Sequence, residues 1–120
     1  MTKSPFFDKA IFMTLRSDLG EEDTVEVLEV FLSDTARKLE IMTSAMQDRS
    51  TIKRESHSIK SSAATFGFVE FSAFAREIEC NIEYLSASLV PEFVKTLGDA
   101  FERVSDFARA NLLNTGAELA

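Results

Sequence analysis

The stretch that decides the fold is Glu55-Ser-His-Ser-Ile-Lys-Ser-Ser-Ala-Ala-Thr-Phe-Gly67. Within it and just before it, apolar or small side chains recur at the three-and-four spacing of an α-helix. These positions are Ile52, Ser56, Ile59, Ala63 and Phe66. Gly67 is the natural end of the helix, because glycine readily adopts the left-handed conformation that closes one. The stretch therefore predicts a helix over residues 51–66 with one face in a core.

The same periodicity predicts four further helices. They run from an N-cap at Asp8 to about Asp18, from Glu22 or Asp23 to about Met46, from Glu70 to Leu85, and from Pro91 to about Leu112. Asp23 and Glu26 have the spacing of a capping box at the start of the second of these helices. The longest seam is Val25, Leu28, Leu32, Thr35, Leu39, Met42 and Met46. Short connections favour antiparallel neighbours. We therefore expect an all-α fold, an antiparallel up-down four-helix bundle with a short additional N-terminal helix.

Length and composition narrow the class of protein. The chain has 120 residues, 45% of them hydrophobic and 28% charged, which fits one globular domain over 1–120. Its ordered core is expected over about 6–113, with a tail at 114–120. The net charge of −7 argues against nucleic-acid binding. With no signal peptide and no membrane-spanning run, a cytoplasmic monomer is the expectation. The single cysteine, Cys80, is predicted to be a buried thiol.

His57 is the only histidine, and it is predicted to face solvent. At about 100° per residue, it falls about 160° around the helix from the core residue Ile59. Lys53, Lys60 and Ala64 lie on the same side, and Arg54 and Ser61 lie just beyond. The nearby cations would disfavour a positively charged imidazole and would stabilise a phosphoryl group on it. Ser61 and Ala64 are small and leave the ring open to a partner.

Several readings of His57 remain open on the residues alone. A lone solvent-facing histidine is usually an ordinary surface residue, in which case the chain is a non-catalytic helical adaptor. A hydrolase with His57 as general base would need a nucleophile and an orienting carboxylate, and Glu55 and Ser58 point away from the ring. A metal site would need further ligands. The residues themselves therefore indicate a docking surface with a reactive histidine and no more.

The segment from His57 to Gly67 resembles the signature of histidine-containing phosphotransfer (HPt) domains. In that family the histidine is followed by an aliphatic residue, a lysine, usually a glycine, small residues and a closing glycine. Phe74-Ala-Arg-Glu-Ile-Glu79 and Leu28-Glu-Val-Phe-Leu32 are also similar to the family's neighbouring helices. The resemblance covers nearly the whole chain, and it implies the four-helix bundle.

The resemblance implies a phosphorelay intermediate without kinase activity of its own. His57 would accept and donate the phosphoryl group, and Lys60 would support it. Ser61 stands where the family usually has glycine, and its hydroxyl could also contact phosphate. The partners would be receiver domains of response regulators, with a hybrid histidine kinase as a further candidate. The chain itself would need no cofactor, since Mg²⁺ would be bound by the receiver, and no ATP-binding motif is present.

A receiver would dock on the exposed face of the third helix and on parts of the first two helices. The candidate docking residues are Lys53, Arg54, Ala64, Phe12 and Phe31. Phe12 and Phe31 would supply an apolar patch, although each also suits a core position.

Overall fold

The computed structural model describes residues 5–113, and these residues form five α-helices without a strand. The helices are α1 (Lys9–Leu19), α2 (Glu21–Ser44), α3 (Arg49–Phe66), α4 (Val69–Asn81) and α5 (Leu89–Asn111). The tail expected at 114–120 lies outside the described residues. No helix of the described part is long and apolar enough to cross a membrane.

The four longer helices form the predicted bundle. α2 packs against α3 and α5, and α4 packs against the same two helices, so each helix touches two neighbours around a shared core. α1 lies across α2 and α3. The predicted stripe of α3 is buried at every position, and the seam of α2 is buried or half-buried throughout. The all-α prediction is therefore confirmed.

The residues at the helix ends explain where α1 begins and why α2 begins earlier than predicted. Asp8 caps α1, because its carboxylate accepts hydrogen bonds from the N–H groups of Ala10 and Ile11. Gly20 ends α1 with a positive φ of 88° and is also the residue from which α2 starts. α2 therefore begins at Glu21, ahead of the capping box expected at Asp23.

The α3–α4 hairpin also differs from the prediction at both ends. α3 starts at Arg49, two residues early, because the Asp48 carboxylate accepts from the Thr51 N–H and caps the helix. α4 ends at Asn81 and does not continue to Leu85. Beyond it, Nη1 of Arg49 donates to the backbone carbonyls of Ile82 at 2.5 Å and Leu85 at 2.7 Å. These bonds satisfy carbonyl groups that would otherwise lack a partner past the end of the helix.

Gly67 joins α3 to α4 and also fixes the start of α1. Its φ is 90°, in the left-handed region that favours glycine. Its carbonyl accepts a hydrogen bond from the Asp8 N–H at 2.7 Å. A Cβ atom at this position would lie 2.6 Å from the Asp8 carbonyl oxygen. Only glycine therefore allows this close approach.

Phenylalanine rings fill the end of the bundle near Gly67, and this placement corrects one prediction. Phe12 and Phe31 are 3% and 4% exposed. The Phe31 ring lies 4.9 Å from the Phe66 ring and stacks on Phe68 at 6.0 Å between centroids. Phe12 lies 5.9 Å from Phe7. Both are core residues, so the apolar docking patch predicted from them is wrong.

Cys80 also departs from its prediction. It lies on α4 and its thiol is exposed rather than buried. The buried face of α4 is carried by Phe71, Ala75 and Ile78. Cys80 is two residues beyond Ile78, which places it about 200° around the helix from that core contact.

Candidate functional site

His57 lies near the middle of α3 and projects from the bundle as predicted. Its side chain is 60% exposed, while Ser56 and Ile59 beside it are buried. Of the predicted neighbours, Lys53, Arg54, Ser61 and Ala64 are exposed and Lys60 is half-buried. The helix therefore separates a core stripe from an open face that carries the imidazole.

A carboxylate from α4 joins His57 to Lys60. Oε2 of Glu79 lies 2.7 Å from Nδ1 of His57, and Oε1 lies 2.9 Å from Nζ of Lys60. Glu79 is 18% exposed and is the most buried of the three side chains. One carboxylate therefore contacts both His57 and Lys60, to which the HPt resemblance assigns the phosphoryl-accepting and phosphoryl-supporting roles.

The charge of Glu79 fixes which ring nitrogen is available. The Lys60 ammonium holds the pKa of the Glu79 carboxyl below its usual range, and the His57 contact adds to this effect, although partial burial opposes it. The ionised carboxylate can only accept hydrogen bonds, so Nδ1 of His57 carries the proton and donates. Nε2 is then the ring nitrogen with a free lone pair.

The basic residues around His57 are paired, which corrects the predicted electrostatics. Nζ of Lys53 lies 2.8 Å from Oε1 of Glu83. The Glu83 carboxylate raises the pKa of Lys53, and the ammonium lowers the pKa of Glu83. Lys60 also has a carboxylate partner, because its Nζ lies 2.9 Å from Oε1 of Glu79. The expectation that nearby cations would dominate the surroundings of the imidazole is therefore wrong, because Glu79 on α4 and Glu83, two residues past the end of α4, each pair with one of the lysines.

The backbone on both sides of the site is tied across the hairpin. Oγ of Ser72, on α4, donates to the carbonyl oxygen of Lys60 at 2.8 Å. At the opposite end, Arg49 holds the chain that follows α4 through its bonds to Ile82 and Leu85. The register between the two helices is therefore fixed above and below the His57–Glu79 contact.

Glu79 is a residue of the candidate site that was not predicted from the sequence. It lies in the segment that carried part of the resemblance, but its role was not foreseen. The short turn between α3 and α4 could have indicated this contact. In a tight helical hairpin, residues that are equally far from the turn lie side by side. His57 lies ten residues before Gly67 and Glu79 twelve residues after it. At 1.5 Å per residue these are about 15 and 18 Å along antiparallel helices.

α1 and α2 carry other apolar side chains that are exposed, unlike Phe12 and Phe31. Ile11 on α1 and Val30 on α2 are 38% and 61% exposed. Ile11 borders Gly67, since its Cβ would lie 3.5 Å from a Cβ built there. Val30 precedes Phe31, whose ring contacts Phe66 at the end of α3.

Within residues 5–113, no group of three or more histidine, cysteine, aspartate or glutamate side chains could hold a metal ion.

Comparisons with known proteins identify the family and the fold. The family model described as Hpt domain matches residues 26–107. The fold is similar to the crystal structure of histidine-containing phosphotransfer protein B from Pseudomonas aeruginosa PAO1, with a TM-score of 0.81 and 19% sequence identity. The similarity covers 95% of this chain and 100% of that one. No curated protein matches the sequence significantly.

Proposed function

The chain belongs to the Hpt domain family, whose members are phosphorelay intermediates and not kinases, and we propose that His57 is its phosphoryl-accepting residue. The observation that carries the proposal is the 2.7 Å contact between Nδ1 of His57 and the Glu79 carboxylate. This contact gives an exposed imidazole a defined tautomer. A histidine that was merely a surface residue would need no such arrangement.

In the proposed mechanism, Nε2 of His57 attacks the phosphorus of an aspartyl phosphate on a receiver domain. The P–O bond to the aspartate breaks and a P–N bond to Nε2 forms, while Glu79 keeps hold of the Nδ1 proton. The reverse reaction passes the phosphoryl group to a receiver aspartate. This chain supplies a positioned nucleophile and local charge, which are the main requirements of phosphoryl transfer.

Lys60 and Ser61 are proposed to support the phosphoryl group. Lys60 is held one turn from His57 by Glu79, so its ammonium is fixed close to the imidazole. Ser61 is exposed on the same open face, and its hydroxyl can donate to a phosphoryl oxygen.

The receiver is proposed to dock over the open face of α3 and the exposed apolar side chains of α1 and α2. This revised surface keeps Lys53, Arg54 and Ala64 and replaces the two buried phenylalanines with Ile11 and Val30. Gly67, which Ile11 borders, is ten residues or about 15 Å along α3 from His57. An interface of typical size, about 800 Å² per partner, spans that distance. A hybrid histidine kinase could use the same surface, and a monomer in the cytoplasm suits the proposal.

Phosphoryl transfer from a labelled receiver tests the assignment. Incubation with a phosphorylated receiver domain should place an acid-labile, alkali-stable phosphate on this chain. His57→Ala should abolish that label while the helical circular dichroism stays unchanged, because the side chain is exposed. Label that persists without His57 would show that another residue accepts the phosphate. Absence of label on the native chain, with receiver binding intact, would favour the adaptor reading.

A further inference from the structure

Two lysines flank His57 on α3, and the structure holds them differently. Lys60 follows the histidine by three residues and Lys53 precedes it by four, so both lie one helical turn away. Lys60 is 27% exposed and its partner Glu79 is 18% exposed. Lys53 is 46% exposed and its partner Glu83, past the end of α4, is 56% exposed. The Lys60 ion pair is therefore largely shielded from solvent, whereas the Lys53 ion pair is open to it.

We propose that Lys53 is a second phosphoryl-supporting residue, which exchanges Glu83 for the phosphoryl group when His57 is phosphorylated. Glu83 is then a competitor that holds the Lys53 ammonium while the histidine is free. The inference rests on the proposed function of His57. It gives Lys53 a role in addition to docking, and it gives Glu83 a role that the sequence did not indicate.

The position of the Lys53 ammonium brings it within electrostatic range of the site. The hydrogen bond to Glu83 is the main cause of the raised pKa of Lys53, and the charge of Glu79 also contributes. Oε2 of Glu79 in turn lies 2.7 Å from Nδ1 of His57. Cβ atoms four residues apart on a helix are separated by about 5–6 Å, and the lysine stem is flexible. A change of rotamer therefore brings the Lys53 ammonium to a group attached to the imidazole.

The exposure of the Lys53–Glu83 pair favours the exchange. Ion pairs between exposed side chains contribute little to stability, because water screens both charges. The Glu83 carboxylate carries one negative charge, whereas a phosphoryl group carries up to two and offers three acceptor oxygens. The lysine ammonium is a point charge with three donors, so either partner satisfies its geometry. The phosphoryl group is therefore the stronger partner for Lys53 once it is attached to the ring.

Lys60 is less free to make the same exchange. Its Nζ lies 2.9 Å from Oε1 of Glu79, and the Lys60 ammonium is the main cause of the lowered pKa of that carboxyl. Moving Lys60 away would leave a mostly buried carboxylate without its main partner, which is unfavourable. Lys60 therefore supplies a fixed positive charge beside His57, and Lys53 supplies a movable one.

The pKa of the phosphoryl group itself tests the proposal without a partner protein. The chain is phosphorylated with phosphoramidate, a small donor to histidine, and ³¹P NMR follows the phosphoryl group as the pH is raised through its second ionisation. A nearby cation stabilises the dianion, so Lys53→Gln should raise this pKa by about half a unit, a change of about threefold in protonation. Glu83→Gln should lower it by a similar amount, because Lys53 then has no competing partner. The charged side chains around the ring are Lys53, Arg54 and Lys60 of α3, Glu79 of α4, and Glu83.

Two comparisons separate an exchange of partners from a simple change in charge. The double variant Lys53→Gln/Glu83→Gln should have the same phosphoryl pKa as Lys53→Gln, because Glu83 acts by holding Lys53. Lys95 and Asp99 form another exposed ion pair, 2.9 Å apart on α5, which packs against α2 and α4. Lys95→Gln and Asp99→Asn should therefore leave the phosphoryl pKa unchanged. All four side chains are exposed, so the helical circular dichroism of each variant should match that of the native chain.

The outcomes separate this inference from the proposed function. An unchanged phosphoryl pKa in Lys53→Gln would overturn the role of Lys53 while His57 remains the acceptor. Slower transfer from a receiver with that pKa unchanged would place Lys53 in docking alone. An equal fall on Glu83→Gln with and without Lys53 would show that Glu83 acts directly and that no exchange occurs. If neither phosphoramidate nor a phosphorylated receiver modifies His57, the proposed function fails and the inference fails with it.

Discussion

The ammonium of Lys60 lies 2.9 Å from Oε1 of Glu79, so this lysine is paired before any phosphoryl group arrives. Its charge is therefore already partly neutralised, and its position is set by α4 as well as by its own helix. A phosphoryl group on His57 would compete with Glu79 for the same ammonium. The three side chains form one unit, and a change to any of them alters the charge felt by the other two.

The pairing of Glu79 predicts how stability depends on pH. Its pKa is lowered in the folded chain, mainly by Lys60, so its contribution is present above its unfolded pKa and is lost as the pH falls through the folded value. The free energy of unfolding should therefore fall less steeply in Glu79→Gln than in the native chain as the pH is lowered from 6 to 2. Urea unfolding at a series of pH values measures this slope. An identical slope would mean that the pair contributes nothing to stability.

Gly67→Ala should destabilise the fold by about 2 kcal/mol or more. A left-handed alanine costs roughly 1–2 kcal/mol, and its Cβ would also lie 2.6 Å from the Asp8 carbonyl oxygen. Gly98→Ala is the matched control, because Gly98 lies inside α5 with open space around its Cβ position. That change should stabilise the chain by about 0.5–1 kcal/mol. Thermal unfolding of the two variants should move in opposite directions.

Ser56→Ala should increase the free energy of unfolding by about 1 kcal/mol. Ser56 is fully buried, and its hydroxyl has no hydrogen-bond partner among the residues that the structure describes. Removing an unsatisfied buried polar group relieves its desolvation cost, and alanine also favours the helix. Chemical denaturation measures the change. A loss of stability would show that the hydroxyl makes a bond in solution, for example to a buried water.

Val30→Asp should slow phosphoryl transfer from a receiver by about tenfold while leaving phosphorylation by phosphoramidate unchanged. Val30 is 61% exposed, so the substitution leaves the core intact but places a charge on the proposed docking surface. Leu89→Asp is the control, because Leu89 is another exposed apolar residue, at the start of α5. Equal slowing by both variants would argue against docking at Val30.

The sequence predicted the helices well because a bundle core repeats along each of them. The stripe of α3 and the cap at Asp8 are local features, and both were identified correctly. Helix ends that depend on distant residues were not, and Arg49, which bonds to the chain after α4, is the clearest example. Phe12 and Phe31 were misplaced as docking residues because periodicity alone does not say which apolar side chains a neighbouring helix covers.

Within the site, the part carried by one helix was predictable and the part shared between two was not. The spacing of α3 correctly exposed His57 and placed Lys60 one turn away. Glu79 depends on the register between α3 and α4, which the Gly67 turn and the Ser72–Lys60 bond fix in the folded chain. The pairing of Lys53 and Lys60 with carboxylates was not predicted for the same reason, since both carboxylates follow the Gly67 turn.

The α3–α4 hairpin contributes all three interacting side chains, and α1 and α2 contribute the proposed apolar contacts. Substitutions in α1 and α2 can therefore change which receiver is recognised without altering the nucleophile or its proton. Duplicated copies of such a chain could diverge toward different signalling routes by changing those two helices alone. A graft of the α1 and α2 surface from one family member to another should accordingly redirect partner choice and keep the reactivity of the histidine.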